Sequence, residues 1–210
     1  AQYVGATNMN AFCKSFAEHL KIIKKTRIYQ VIKSDNGLKL IDDKDTELGV
    51  FDWVVSTVPS RQAVDILPKN LNFIDEITSI KMSPCFTLML GFEKDLNLGF
   101  DAAMIHNELI SWASVNSSKP DRRANDFSLV IQSTNRWADK NLNLDKNSVI
   151  STMISEASGI INRDLNVAIH KEVHGWHFAN APKRDLGVFI DYDMKIAACG
   201  DWCMHGRVES

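Results

Sequence analysis

The residues with the most chemical promise form one short run near the carboxyl end, Ala198–Glu209, ACGDWCMHGRVE. An apolar segment runs into Gly200-Asp201, and a helix start is expected around Gly206–Val208. A strand, a Gly-Asp turn and a helix in that order can set a carboxylate beside helix N-terminal N–H groups. The N–H groups suit a phosphate or an electron-rich ring oxygen, and the carboxylate suits a sugar hydroxyl. The alternative is a plain strand-end turn, because Gly-Asp is common in turns. On the residues alone both readings stand.

Other chemistry is thin. Cys199, Cys203 and His205 form C-x3-C-x-H, but a structural zinc site needs four ligands and no second cysteine pair follows. His170, His174 and His177 crowd one segment. On a strand the first two share a face and His177 points the other way, which argues against a common ligand shell. No Ser lies in a G-x-S-x-G elbow, no P-loop occurs, and no two glycines are spaced G-x-G, so the usual dinucleotide fingerprint is missing. Arg122 and Arg123 in the polar loop NSSKPDRRAN are read as solvated, with anion gripping as the alternative.

The elements that must position these residues follow from apolar spacing. Met9, Phe12, Phe16, Ala17 and Leu20 predict a helix over 8–20, capped by Thr7 or Asn8. Strands at Arg27–Lys33, Leu38–Ile41 and Leu48–Val50, with Asn36-Gly37 as a turn, predict a small meander. Phe51–Thr57 reads as a strand buried on both faces, typical of a parallel sheet. Ser60 is expected to cap a helix at 61–67, stopped by Pro68. Further strands are expected at 85–92, 104–105, 109–115, 127–133 and 167–178, a helix at 147–161, and an apolar segment at 188–198.

The chain has 210 residues, 45% hydrophobic and 24% charged, with net charge -2. That is globular composition, which excludes disorder and disulfide miniproteins and gives no global case for nucleic acid or membrane. No nucleic-acid or membrane partner is expected. Four cysteines without an export signal read as free thiols and imply a cytoplasmic protein. No metal is expected.

GDWCMHGRVE resembles the last flavin-contacting motif of FAD-dependent amine oxidases, closest to their renalase-like bacterial branch. VGATNMNAFCKSFAEHL, TRIYQVIKSDNGLKLIDD, FDWVVSTVPSRQAVDIL, WASVNSSKPDRR and HGWHFANAP resemble further stretches of that branch, in order and over nearly the whole chain. The resemblance implies a mixed α/β fold, with a substrate domain of mixed β-sheet and helices plus the C-terminal remnant of a Rossmann-like FAD-binding domain. Residues 1–60 and 188–210 would belong to the FAD-binding domain and 61–187 to the substrate-covering domain. Asp201, after Gly200, would bind the ribityl or pyrophosphate region of FAD. Backbone at Trp202, Arg207 and Val208 would lie near the flavin ring. Ile28 would hold adenine through its main chain, and Pro59 matches the turn near the adenosine diphosphate.

Trp176 and His177 match a Trp-Arg pair on the strand nearest the flavin face. His177 in place of Arg, and Phe178 in place of Tyr, bear on the substrate more than on the fold. The implied activity is hydride transfer from an amine or dihydronicotinamide-type donor to flavin, which demands no acid/base pair. The family's diphosphate-seating G-x-G-x-x-G segment has no counterpart in these 210 residues. The chain is therefore expected to be a fragment, inactive alone, that binds FAD weakly or not at all. Two alternatives remain: a non-catalytic binding domain or subunit without flavin, and a relative of the desaturases or protoporphyrinogen oxidases.

Overall fold

A computed structural model describes residues 4–122 and 127–204. In chain order the elements are α1 (Ala11–Phe16), β1 (Ile28–Ser34), β2 (Gly37–Asp42), β3 (Glu47–Phe51), β4 (Val54–Ser56), α2 (Ser60–Ile66), α3 (Ile74–Thr78) and β5 (Ser83–Phe92). Then come β6 (Ala102–Met104), β7 (Ile110–Val115), β8 (Phe127–Ser133), α4 (Asn135–Asn141), α5 (Lys146–Ile161), β9 (His170–Asn180), β10 (Phe189–Asp191) and β11 (Ile196–Ala198). The mixed α/β class expected from the sequence is the one observed. The chain divides into two compact units, one of residues 1–22 and 84–177, the other of residues 23–83 and 178–210. The sequence reading drew its borders at 60/61 and 187/188 from the functions expected of the segments, whereas these borders follow packing.

The first unit is a five-stranded sheet in the order β6-β7-β8-β5-β9. β5 alternates, burying Leu88, Leu90 and Phe92 while Thr87, Met89 and Gly91 stay half-buried. The apolar run CFTLMLGF thus covers one face, not two. α5 shares the core on that face through Val149, Met153, Ile154 and Ala157, spaced for one stripe of a helix. Each large side chain buried there contributes roughly 1.5–3 kcal/mol. Asp145 caps α5 by accepting from the amides of Asn147 and Ser148 at 3.0 and 3.1 Å. Asn162 ends it in the left-handed region, with φ 54°. The helix carries through Gly159.

α1 is shorter than expected. It runs only from Ala11 to Phe16 and has no buried residue. Asn10 occupies the cap position without a side-chain hydrogen bond, in place of Thr7 or Asn8. Met9, Phe12, Phe16 and Leu20 are all exposed, so the stripe gains little burial to extend the helix.

The second unit holds two three-stranded sheets, β1-β2-β3 and β10-β11-β4. The meander is antiparallel as expected, but its first turn falls one residue early. Ser34 pairs with Gly37, which leaves Asp35-Asn36 as the loop. β4 pairs with β11 in parallel, Val54 with Ile196 through Ser56 with Ala198. The expected burial of β4 on both faces is not observed, because Val55 is 59% exposed. Ser60 does not cap α2. Pro59 occupies the cap position, and the Ser60 hydroxyl turns inward to donate to the Ile80 carbonyl at 3.2 Å. The apolar segment 188–198 is a hairpin of two strands, β10 and β11. α3 and α4 carried too few apolar repeats to be seen in the sequence.

Candidate functional site

Parallel pairing sets the carboxyl ends of β4 and β11 next to each other. In open α/β sheets the crevice beyond such ends is where ligands bind. Here the two exits are Ser56-Thr57-Val58-Pro59 and Cys199-Gly200-Asp201-Trp202. The amide of Cys199 donates to the Ser56 carbonyl at 2.9 Å, continuing the ladder past the strand ends. The indole N–H of Trp202 then donates to the Val58 carbonyl at 3.1 Å. Trp202 is 1% exposed and stacks on Phe189, ring centroids 5.9 Å apart and planes at 13°.

The conformation of the Gly-Asp turn follows from that anchor. Gly200 is extended, with φ 164°. Its requirement is space, since a Cβ there would come within 2.5 Å of Trp202 Nε1. Asp201 opens a one-turn 3-10 helix, Asp201–Cys203, and is exposed. Among the described residues none donates a hydrogen bond to its carboxylate. The backbone beyond is tied to the preceding loop, with Arg184 donating to the Met204 carbonyl at 2.9 Å and Leu186 to the Cys203 carbonyl at 3.0 Å.

Beside these exits the second unit has a cleft of about 770 Å³, lined by Ile28, Val31, Leu40, Val54, Val58 and Gln62 among others. Ser56 also lines it. Its side chain is the residue that sequence reasoning missed. Ser56 is 6% exposed, and its hydroxyl oxygen has no hydrogen-bond partner among the described residues. A buried hydroxyl without a partner is disfavoured unless something else supplies one. The signal was present in FDWVVSTVPS, a serine closing the apolar strand Val54–Ser56. The cleft lining mixes its apolar side chains with Thr26, Arg27, Thr57 and Asp65.

Of the residues singled out from the sequence, Ile28, Pro59, Gly200, Asp201 and Trp202 all fall in the second unit. Ile28 lines the cleft. Pro59 takes the cap position before α2, at the end of the β4 exit. Arg207 and Val208 lie outside the described residues, as do Arg123 and His205. Trp176 and His177 belong to β9 of the first unit. Adjacent strand positions alternate in direction, so their side chains leave the sheet on opposite faces. Trp176 is 54% exposed and packs edge-on against His174, ring centroids 4.2 Å apart.

The cysteines are all free. Burial pushes the Cys203 thiol up to about 11, and the nearby Cys199 and Asp201 charges add to the shift. Burial also raises Cys85. A thiol held protonated in this way is a poor nucleophile. Among the described residues, no three His, Cys, Asp or Glu side chains converge as metal ligands, and no helix is long and apolar enough to cross a membrane.

No protein-family model matches the sequence. Solved structures do. A provisionally assigned protoporphyrinogen oxidase from Exiguobacterium sp. 255-15 is similar over 94% of this chain, with TM-score 0.72 and 14% identity. Putrescine oxidase bound to putrescine is similar over 97% of the chain, with TM-score 0.65 and 11% identity. An oxidoreductase from Methanosarcina mazei is similar over 85%, with TM-score 0.56 and 15% identity. These likenesses show the fold. The match covers 47%, 49% and 44% of those three proteins, so the chain spans a little under half of their length.

Proposed function

We propose that the chain is part of an FAD-dependent oxidoreductase of the amine oxidase type, in its renalase-like branch. The observation that carries the reading is the pairing of two strand exits, with the Trp202 N–H on the Val58 carbonyl at 3.1 Å beside a cleft lined by Ile28 and Ser56. The residues that would hold FAD divide by chemistry. Ile28, Ser56 and Pro59 suit the adenosine end. Gly200, Asp201 and Trp202, with Arg207 and Val208, suit the ribityl chain and ring. FAD, when bound, supplies a two-electron hydride acceptor.

The chain's own residues position and shield. Trp202 holds the Gly-Asp turn against the β4 exit, and Asp201 stays open to accept from a hydroxyl. Trp176 and His177 are assigned to the substrate side by resemblance, with segment 61–187 covering the substrate. The donor is an amine or a dihydronicotinamide-type molecule. It gives up a hydride as a unit, so no separate base is required. Without a G-x-G-x-x-G diphosphate cradle among its 210 residues, the chain alone holds FAD weakly.

The experiment is anaerobic mixing of the flavin-loaded, full-length protein with amines and with reduced nicotinamide isomers. Bleaching of the long-wavelength flavin band by one class supports the proposal and names the donor. A full-length protein that carries no flavin and bleaches with no donor sinks it.

A second reading, a binding module without flavin, is favoured by one observation. The close approach of Trp202 to Gly200 explains that glycine by packing alone, with no ligand. Stoichiometric flavin in the purified full-length protein would exclude it.

A further inference from the structure

The least explained charges in the molecule lie on the loop after β7, in the first unit. A 3-10 turn at Asn116–Ser118 leads into Lys119, Pro120, Asp121 and Arg122. The loop folds back on itself. Asp121 takes a left-handed φ of 56°, and the Arg122 amide donates to the Lys119 carbonyl at 3.4 Å. Two cationic side chains are thereby held on one short turn.

Neither is paired with an acid among the described residues. Lys119 is half-buried, and its Nζ donates to Oδ1 of Asn116 at 3.1 Å. Arg122 is half-buried as well. Its Nη2 donates to the Gly5 carbonyl at 3.4 Å, while Nη1 is sealed from solvent with no acceptor among the described residues. No carboxylate among the described residues lies within ion-pair distance of either side chain.

Like charges side by side and partly out of water oppose each other's ionised form. Lys119 bears the effect, since burial first and the Arg122 charge second lower its pKa. A shielded guanidinium N–H without an acceptor adds a further penalty. One bound anion would answer the repulsion by neutralising both charges. We infer that Lys119 and Arg122 form a subsite for a small oxyanion, of the phosphate-ester or carboxylate class. Arg122 contributes directed N–H groups in one plane and Lys119 a movable point charge. The subsite uses residues of the first unit alone and does not rest on the flavin reading.

The test is titration of the chain with inorganic phosphate at constant ionic strength, followed by phosphorus NMR, with chloride as the ionic control. Saturable phosphate binding that chloride does not reproduce is expected. Lys119→Met and Arg122→Lys should each weaken it by roughly tenfold or more, the scale of losing one charge-assisted hydrogen bond. Arg122→Lys keeps the charge and most of the stem, so it reports on geometry even if Arg122→Ala fails to fold. Circular dichroism confirms that each variant is native. Methyl phosphate and acetate then separate the two sources, the tighter one naming the class. Phosphate binding that never saturates, or an affinity unchanged in both folded variants, overturns the subsite.

Discussion

Trp202 and Val58 lie 144 positions apart in sequence, yet the indole N–H of one donates to the carbonyl of the other at 3.1 Å. That bond joins the exits of two parallel strands and fixes the turn that carries Asp201. Trp202→Phe keeps the ring against Phe189 but leaves the Val58 carbonyl without its donor. Urea unfolding should show a loss of about 1–2 kcal/mol, with an unchanged denaturant slope. Equal stability in the two proteins would mean that water replaces the bond at no cost.

Gly200 is coupled to the same side chain. Gly200→Ala puts a methyl group within 2.5 Å of Trp202 Nε1 and should cost about 1–3 kcal/mol. Removing Nε1 takes away the nearest contact and leaves Cδ1 at 2.8 Å, so the same change made in a Trp202→Phe background should cost less. A double-mutant cycle measures the difference, and strict additivity would deny the contact.

Ser56 carries a different expectation. Its hydroxyl is buried and unsatisfied among the described residues, so Ser56→Ala should leave the ligand-free chain as stable or up to about 1 kcal/mol more stable. In the full-length protein the same change should weaken retention of adenine-containing ligand, measured by equilibrium dialysis. A variant that destabilises the free chain and leaves binding intact would make the hydroxyl structural.

Asp191 sets an acid limit. Although 5% exposed, it accepts from the amides of Asn72 at 3.0 Å and Met194 at 2.9 Å, and these bonds hold its carboxyl below the usual carboxylate range. A folded pKa below the unfolded value gives stability that is complete above about pH 4 and is lost as pH falls through the folded value. Asp191→Asn should cost about 1–2 kcal/mol at neutral pH and flatten the acid limb of a thermal-melt series. An acid limb of unchanged shape would assign it to other carboxylates.

Trp176 and His177 should separate in kinetics. Because adjacent strand positions face opposite ways, one site takes only one of them from a given sheet face. In the flavin-loaded full-length protein, Trp176→Ala and His177→Ala should differ at least severalfold in the rate of flavin bleaching. Equal losses would indicate that both act through the strand backbone instead.

Periodicity and turn chemistry determined much by themselves. The meander, β8, α2 and α5 were legible because each carries its own local pattern, and the parallel character of β4 showed in its unbroken apolar run. The Gly200-Asp201 run stood out as a site candidate for the same local reason. What the sequence could not disclose depended on contacts between distant segments. The stripe on α1 reads as a core face, yet Met9, Phe12, Phe16 and Leu20 are exposed. Ser60 reads as a cap until Ile80, twenty positions away, takes its hydroxyl. The isolation of the Ser56 hydroxyl among the described residues, the Trp202–Val58 bond, and the contact of Arg122 with the Gly5 carbonyl exist only once the chain is folded. Propensity acts between near neighbours, whereas burial and hydrogen-bond satisfaction are set by whatever the tertiary structure places alongside.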